Sequence, residues 1–174
     1  MPKFIRFEDG KAAWVDDAFV AVPDEEPTPA AGGVILSLQR FQGEGEGLLA
    51  AGRSVGVRIK SDEQVEALAY DLPQLALVAL DFPKFRDGRA FSSAMLLRER
   101  YGYTGEVRAV GEVLREQLNY MIRCGFDAFE PSDGATPQDI ERAARLFRHV
   151  YQAAADDRPP AFIERAHEVS EQGA

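Results

Sequence analysis

An α/β fold on a mainly parallel sheet of about five strands is what this sequence predicts. Apolar, strand-like runs recur at 34–38, 55–59, 75–80, 105–110 and 126–129, with helix-like segments between and after them. A spacing of roughly twenty to thirty residues suits successive βα units. The runs are also too apolar to have one wet face: LALVAL and VRAV read as strands covered on both sides. An open sheet with helices on both faces is the first choice and a curved partial barrel the alternative, because right-handed crossovers are compatible with both. The chain, at 174 residues, is too short for a complete eight-stranded barrel.

In chain order, KFIRF and AAWV flank EDGK, and Asp9-Gly10 is a hairpin signal, so residues 1–22 read as a small N-terminal β appendage. PDEEPTPAAGG, residues 23–33, is rich in proline, acid and glycine and reads as a solvated linker. Residues 34–156 read as a single α/β domain. Within it, Ser61 with Gln64 resembles a capping box, followed by Val65, Leu68 and Ala69 on one helical face. Leu114, Leu118, Met121 and Ile122 repeat with helical spacing. Thr136-Pro137 is an N-cap followed by proline at the first helical position. Ile140, Ala143, Ala144, Phe147, Val150 and Tyr151 then make an apolar stripe on a helix over 137–155. Core packing explains that stripe, and it is broad enough to reach into a homodimer interface. Pro159-Pro160 closes the element, and 157–174 reads as a C-terminal tail.

Composition bounds the function. Hydrophobic residues make up 45% and charged residues 28%, values of a globular rather than a disordered chain. A net charge of −9 argues against nucleic-acid binding. The N-terminus has no apolar signal region, and no run approaches the ~20 residues that span a bilayer. A cytoplasmic protein is therefore expected, with no membrane partner and with Cys124 as a reduced thiol. One cysteine excludes a disulfide framework and an all-cysteine metal site. His149 and His167 lack metal-type partners at i+4, so no metal is expected. GEGEG at 43–47 lacks both GxGxxG and the P-loop lysine and reads as a turn and helix start. The cofactor stays unknown, since nothing specifies NAD, FAD, haem or pyridoxal phosphate.

In parallel α/β sheets ligands bind beyond the carboxyl ends of the strands. The richest such end is Asp81-Phe82-Pro83-Lys84-Phe85-Arg86-Asp87-Gly88-Arg89, directly after LALVAL. From Lys84 to Arg123 there are eight Lys or Arg against five Asp or Glu, a net of +3, so the remainder carries −12. A basic island in an acidic protein attracts a small anion or an acidic partner. Arginine forks suit oxyanions and carboxylates. Lys84, Arg86, Arg89, Ser92, Arg98 and Arg108 are the candidate ligand-binding residues, with a helix starting near Phe91-Ser92-Ser93 adding amide groups. Arg86 and Arg89 could equally rigidify the loop by pairing with Asp81 and Asp87. Ser92 reads better as an N-cap than as a nucleophile, because no GxSxG surrounds it. Phe82 and Phe85 read as packing residues. Asp81 and Asp87 are candidate general bases, weakened by adjacent arginine. Cys124, in RCGFDAF, is a candidate redox residue whose simpler reading is a buried small hydrophobe.

Residues 80–129 resemble a bacterial domain-of-unknown-function family whose members carry an oxidoreductase label tied to sulfite reduction. The resemblance runs over Phe82-Pro83-Lys84-Phe85-Arg86-Asp87-Gly88-Arg89-Ala90-Phe91-Ser92, then Leu97-Arg98, Arg100, Gly102-Tyr103, Gly105-Glu106, Arg108-Ala109 and Gly111-Glu112-Val113. It ends with Arg123-Cys124-Gly125-Phe126-Asp127-Ala128-Phe129. Phe91 stands where the family commonly has tyrosine, and Glu112 where it has aspartate. The resemblance implies a role in assimilatory sulfite reduction, as an accessory protein or oxidoreductase, with sulfite reductase as partner or a small oxyanion as ligand. The other readings are a small enzyme acting on an anionic substrate through an Asp/Arg strand-end site, and a non-catalytic dimeric interaction module.

Overall fold

The computed structural model describes residues 3–147, 149–156 and 158–165. Its strands are β1 (Lys3–Glu8), β2 (Lys11–Asp16), β3 (Phe19–Ala21), β4 (Gly33–Ser37), β5 (Val55–Ile59), β6 (Leu77–Phe82), β7 (Glu106–Gly111) and β8 (Ala128–Phe129). They form one sheet in the order β2-β1-β8-β7-β6-β5-β4-β3. From β3 to β8 every pairing is parallel; β1 pairs antiparallel with both β2 and β8. The helices are α1 (Leu38–Ala50), α2 (Arg89–Met95), α3 (Leu118–Arg123) and α4 (Pro137–Ala144).

Strand alternation sorts the sheet's two faces. Val34, Leu36, Val55, Val57, Ile59, Val78, Leu80, Phe82, Val107, Ala109 and Phe129 share one core with Phe41 of α1, Ala90 and Ala94 of α2, Leu118 and Met121 of α3 and Ile140 of α4. The opposite parity gives a separate small cluster of Ile35, Leu77, Ala79 and Val110, against which Phe19 packs. The helices α1 to α4 therefore cover one face. The mainly parallel α/β sheet is as expected, but the first choice of helices on both faces gives way to the alternative, a curled open sheet or half-barrel, with eight strands rather than about five.

The curl has a chain-level cause. β2 and β3 are opposite edges of the sheet, yet only Asp17 and Ala18 separate them. Three residue steps reach at most about 11 Å, whereas eight flat strands would hold their edges more than 30 Å apart. The connector must cross the inner face, and the sheet must bend around it. Phe19 then lies over Gly33, where a β-carbon would come within 2.8 Å of its ring. The N-terminal hairpin is thus no separate appendage: its turn at Asp9-Gly10 forms as expected, but β1 and β2 extend the main sheet.

Two local expectations also change. The helix expected after Ser61 is a 3₁₀ turn at Val65–Leu68 without a side-chain cap, because the Ser61 hydroxyl instead accepts from Arg89. The helix expected over 137–155 ends at Ala144. Beyond it the Phe147 carbonyl accepts from Arg158 at 2.6 Å, the Val150 carbonyl from the Ala161 amide at 2.7 Å and the Gln152 carbonyl from Arg123 at 2.5 Å. Tertiary donors have replaced the helical ones. Thr136 does begin α4: its amide and hydroxyl both donate to Asp139. His167 lies outside the described residues.

Candidate functional site

The carboxyl ends of β3 to β6 surround a cleft of about 400 Å³. Its apolar part comes from Ala21, Val22, Ile35 and Leu36, and its polar part from Asp24, Ser37, Arg58, Lys60 and Asp81. Parity explains the set. Arg58 and Lys60 are two residues apart at the end of β5, and Asp81 occupies the matching position on β6. Arg58 donates to Asp81 at 2.9 Å, a pair half open to solvent on the arginine side. Among the described residues Lys60 forms no ion pair. Ser37 caps α1, accepting from the Arg40 amide at 3.2 Å while donating to Asp24 at 2.6 Å. A helix start, a guanidinium and an ammonium therefore share one concavity with two carboxylates.

Gly111 shapes the far side of Asp81. It sits at φ +88°, a conformation suited to glycine, and a β-carbon there would lie 2.6 Å from both Asp81 Oδ1 and the Phe82 carbonyl. The bare backbone lets Glu112 N–H donate to the Phe82 carbonyl at 2.7 Å, folding the β7 exit against the β6 exit.

The six candidate ligand residues do not come together. Lys84 and Arg86 are exposed on the loop after β6 and form no ion pair among the described residues. Arg89 grips Asp87 with two nitrogens, at 2.6 and 2.9 Å, and donates to Ser61 at 3.0 Å. The Arg89 hydrogen bonds, with help from Ser61, hold the Asp87 carboxyl well below the usual carboxylate range. Ser92 is exposed in the second turn of α2, which starts at Arg89 behind Gly88, so it does not cap that helix.

Arg98 lies at the other end of the sheet. Residues Leu96–Arg100 wind as a π-helix, and from it Arg98 donates to the carbonyls of Tyr103, Gly105 and Gly125 and to Asp127, at 2.6 to 2.9 Å. These groups precede β7 and β8. Gly125, at φ +99°, has no room for a β-carbon, which would meet Arg98 Cγ at 2.4 Å. Arg98 is a clasp for the loops at the amino ends of the strands.

Arg108 is fully buried in the middle of β7, facing inward. It donates to Asp17 of the edge-to-edge connector at 2.5 Å, to Glu106 at 2.6 Å and to Glu130 at 3.1 Å, with the Phe4 ring 4.0 Å from its guanidinium carbon. Burial opposes its charge, but the Asp17 hydrogen bond and Glu106 outweigh burial and raise its pKa. Glu106, also paired with Arg6, is pushed up by the same burial. Arg108 therefore binds an anion, and that anion is the protein's own Asp17. A charge count along the chain could not reveal this partner, which is distant in sequence.

Cys124 is 1% exposed at the end of α3, and burial pushes its thiol up to about 11. The buried-hydrophobe reading fits this environment. Phe82 is buried, but Phe85 is 51% exposed, which corrects its packing assignment. Sequence reasoning missed Asp17, Asp24, Ser37, Arg58 and Lys60. The signal for the last two was present: in VGVRIK two cations share one strand face at its carboxyl end.

Among the described residues no group of three or more His, Cys, Asp or Glu is placed to hold a metal ion, and no helix is long and apolar enough to cross a membrane. The molecule is an α/β half-barrel with a small mixed-charge cleft at its strand ends. A family model described as "Bacterial protein of unknown function (DUF934)" matches residues 56–162, more than half of the chain, and the protein belongs to this family. A search of curated proteins finds no match.

Proposed function

We propose that the protein holds a small oxyanion in the strand-end cleft and serves assimilatory sulfite reduction as an accessory protein. The observation that carries the anion is the placement of Arg58 and Lys60 beside the start of α1 in one concavity. Arg58 spends one nitrogen on Asp81, Lys60 has no ion pair among the described residues, and a helix start favours negative charge. The apolar floor lowers the local dielectric and strengthens both contacts. The resemblance of residues 80–129 supports sulfite as the anion and sulfite reductase as the partner. A catalytic reading that uses Asp87 as base is less well supported, because a carboxylate held so far below neutrality by Arg89 accepts a proton poorly.

Titration calorimetry with sulfite, and with sulfate for comparison, tests the site. The native chain should bind sulfite, and Arg58→Ala and Lys60→Ala should each weaken binding about tenfold or more, the value of one charge-assisted hydrogen bond. Absence of sulfite binding, or binding unchanged in both variants, rejects it.

A further inference from the structure

The turn after β6 is built as a rigid projecting knob. Asp87 N–H donates to the Lys84 carbonyl at 2.9 Å, so Phe85 and Arg86 are the two central residues of a hydrogen-bonded turn. The Phe85 peptide is clamped on both sides: its N–H donates to Glu112, and its carbonyl accepts from Gln117 at 3.3 Å. Gln117 is itself buried, and the far end of the turn is fixed by the Asp87–Arg89–Ser61 chain of contacts. Phe85 is half exposed, and the flanking Lys84 and Arg86 have no ion-pair partner among the described residues.

Exposing an aromatic ring to water has a cost, and immobilising the backbone beneath it suits recognition, since a fixed anchor loses little entropy when it docks. Aromatic side chains set in a polar rim are the usual energetic centres of protein interfaces. We propose that the Lys84-Phe85-Arg86 turn is a docking knob for an acidic partner protein, with Phe85 entering an apolar pocket whose rim carries carboxylates. Charge argues for this occupant. The chain as a whole carries −9, while the exposed Lys84 and Arg86 give this turn local positive charge, so an acidic surface is drawn to the turn more than to the average of the molecule. The same −9 opposes a nucleic acid stacking on Phe85. The inference stands apart from the strand-end anion cleft, because none of the three turn residues lines it.

The test places a benzophenone amino acid at position 85 of the full chain in host cells, with position 70 as control, since Tyr70 is an aromatic 88% exposed elsewhere. Illumination should give an adduct with one acidic protein from position 85 and not from position 70. That protein, purified and titrated against the native chain, should bind more weakly as salt rises. Phe85→Ala should weaken binding about thirtyfold or more and the Lys84→Glu/Arg86→Glu pair at least about tenfold. Both variants should keep the native melting temperature and native sulfite binding. No adduct above the control, or a captured protein whose affinity ignores both variants, overturns the proposal. An adduct to a second copy of the chain or to nucleic acid overturns it in favour of that occupant.

Discussion

Arg108 shows how a single side chain can organise an interior. It is the one fully buried cation among the described residues, and three carboxylates and a ring surround it. Removing one member of such a cluster leaves uncompensated buried charge. Arg108→Leu should therefore lose about 3 to 5 kcal/mol, measured by urea unfolding, even though leucine matches the apolar neighbours. Cys124 provides a pH test. Its thiol titrates higher in the folded state, at about 11, than the ordinary value of 9.0 it regains on unfolding. Between those values the native state binds the extra proton, so this contribution to stability is complete below pH 9 and is lost as pH rises toward 11. It amounts to about 2 to 3 kcal/mol. The difference between the stability curves of native chain and Cys124→Ala should fall over that window. A flat difference would contradict the buried-thiol assignment. Reaction of Cys124 with a disulfide reagent at pH 8 should likewise be slow until denaturant is added.

At the scale of elements, backbone conformation carries the predictions. Gly111→Ala forces a side chain into a left-handed position against Asp81 and the Phe82 carbonyl. It should cost about 2 kcal/mol or more, measured by urea unfolding, because the β-carbon presses on both the Asp81 carboxylate and the Phe82 carbonyl. Five of the parallel strands were legible because GVILS, VGVRI, LALVAL, VRAV and FDAF are apolar enough to be read without context. β3 was not, since three residues beside a proline- and acid-rich stretch carry no period; it is a strand only because β4 lies next to it. The stripe from Ile140 to Tyr151 looked like one helix because periodicity reports a face but not which donors will claim its carbonyls. The site was half legible. Asp81 was found from its place after LALVAL, and Arg58 and Lys60 could have been found by the same rule applied to β5. Arg98 and Arg108 could not be sorted by sign alone. Whether an arginine faces a ligand or an internal carboxylate depends on strand parity and on partners distant along the chain.

On the scale of the whole molecule, both borders of the open half-barrel come from residues outside the family match, which spans 56–162. β1 pairs with β8 and Asp17 engages Arg108, so the first strands complete a structure whose other strands follow them. A chain truncated before residue 23 should therefore lose its cooperative thermal transition rather than yield a smaller stable domain, as followed by circular dichroism. Persistence of a sharp melt near the native temperature would show that the hairpin is dispensable.

The pairing of Ile5 with Phe129 also sets a timetable for synthesis. Ribosomes release the hairpin before β8, so its seat exists only once the later strand has emerged. Until then β1 carries bare hydrogen-bonding groups on the side that will meet β8, and the middle strands lack their final border. Docking β1 onto β8 is a contact of very long loop, the kind that slows folding most. Newly made molecules should pass through an interval in which that hairpin is free to pair with a neighbour's sheet, so yield should depend on how crowded nascent copies are.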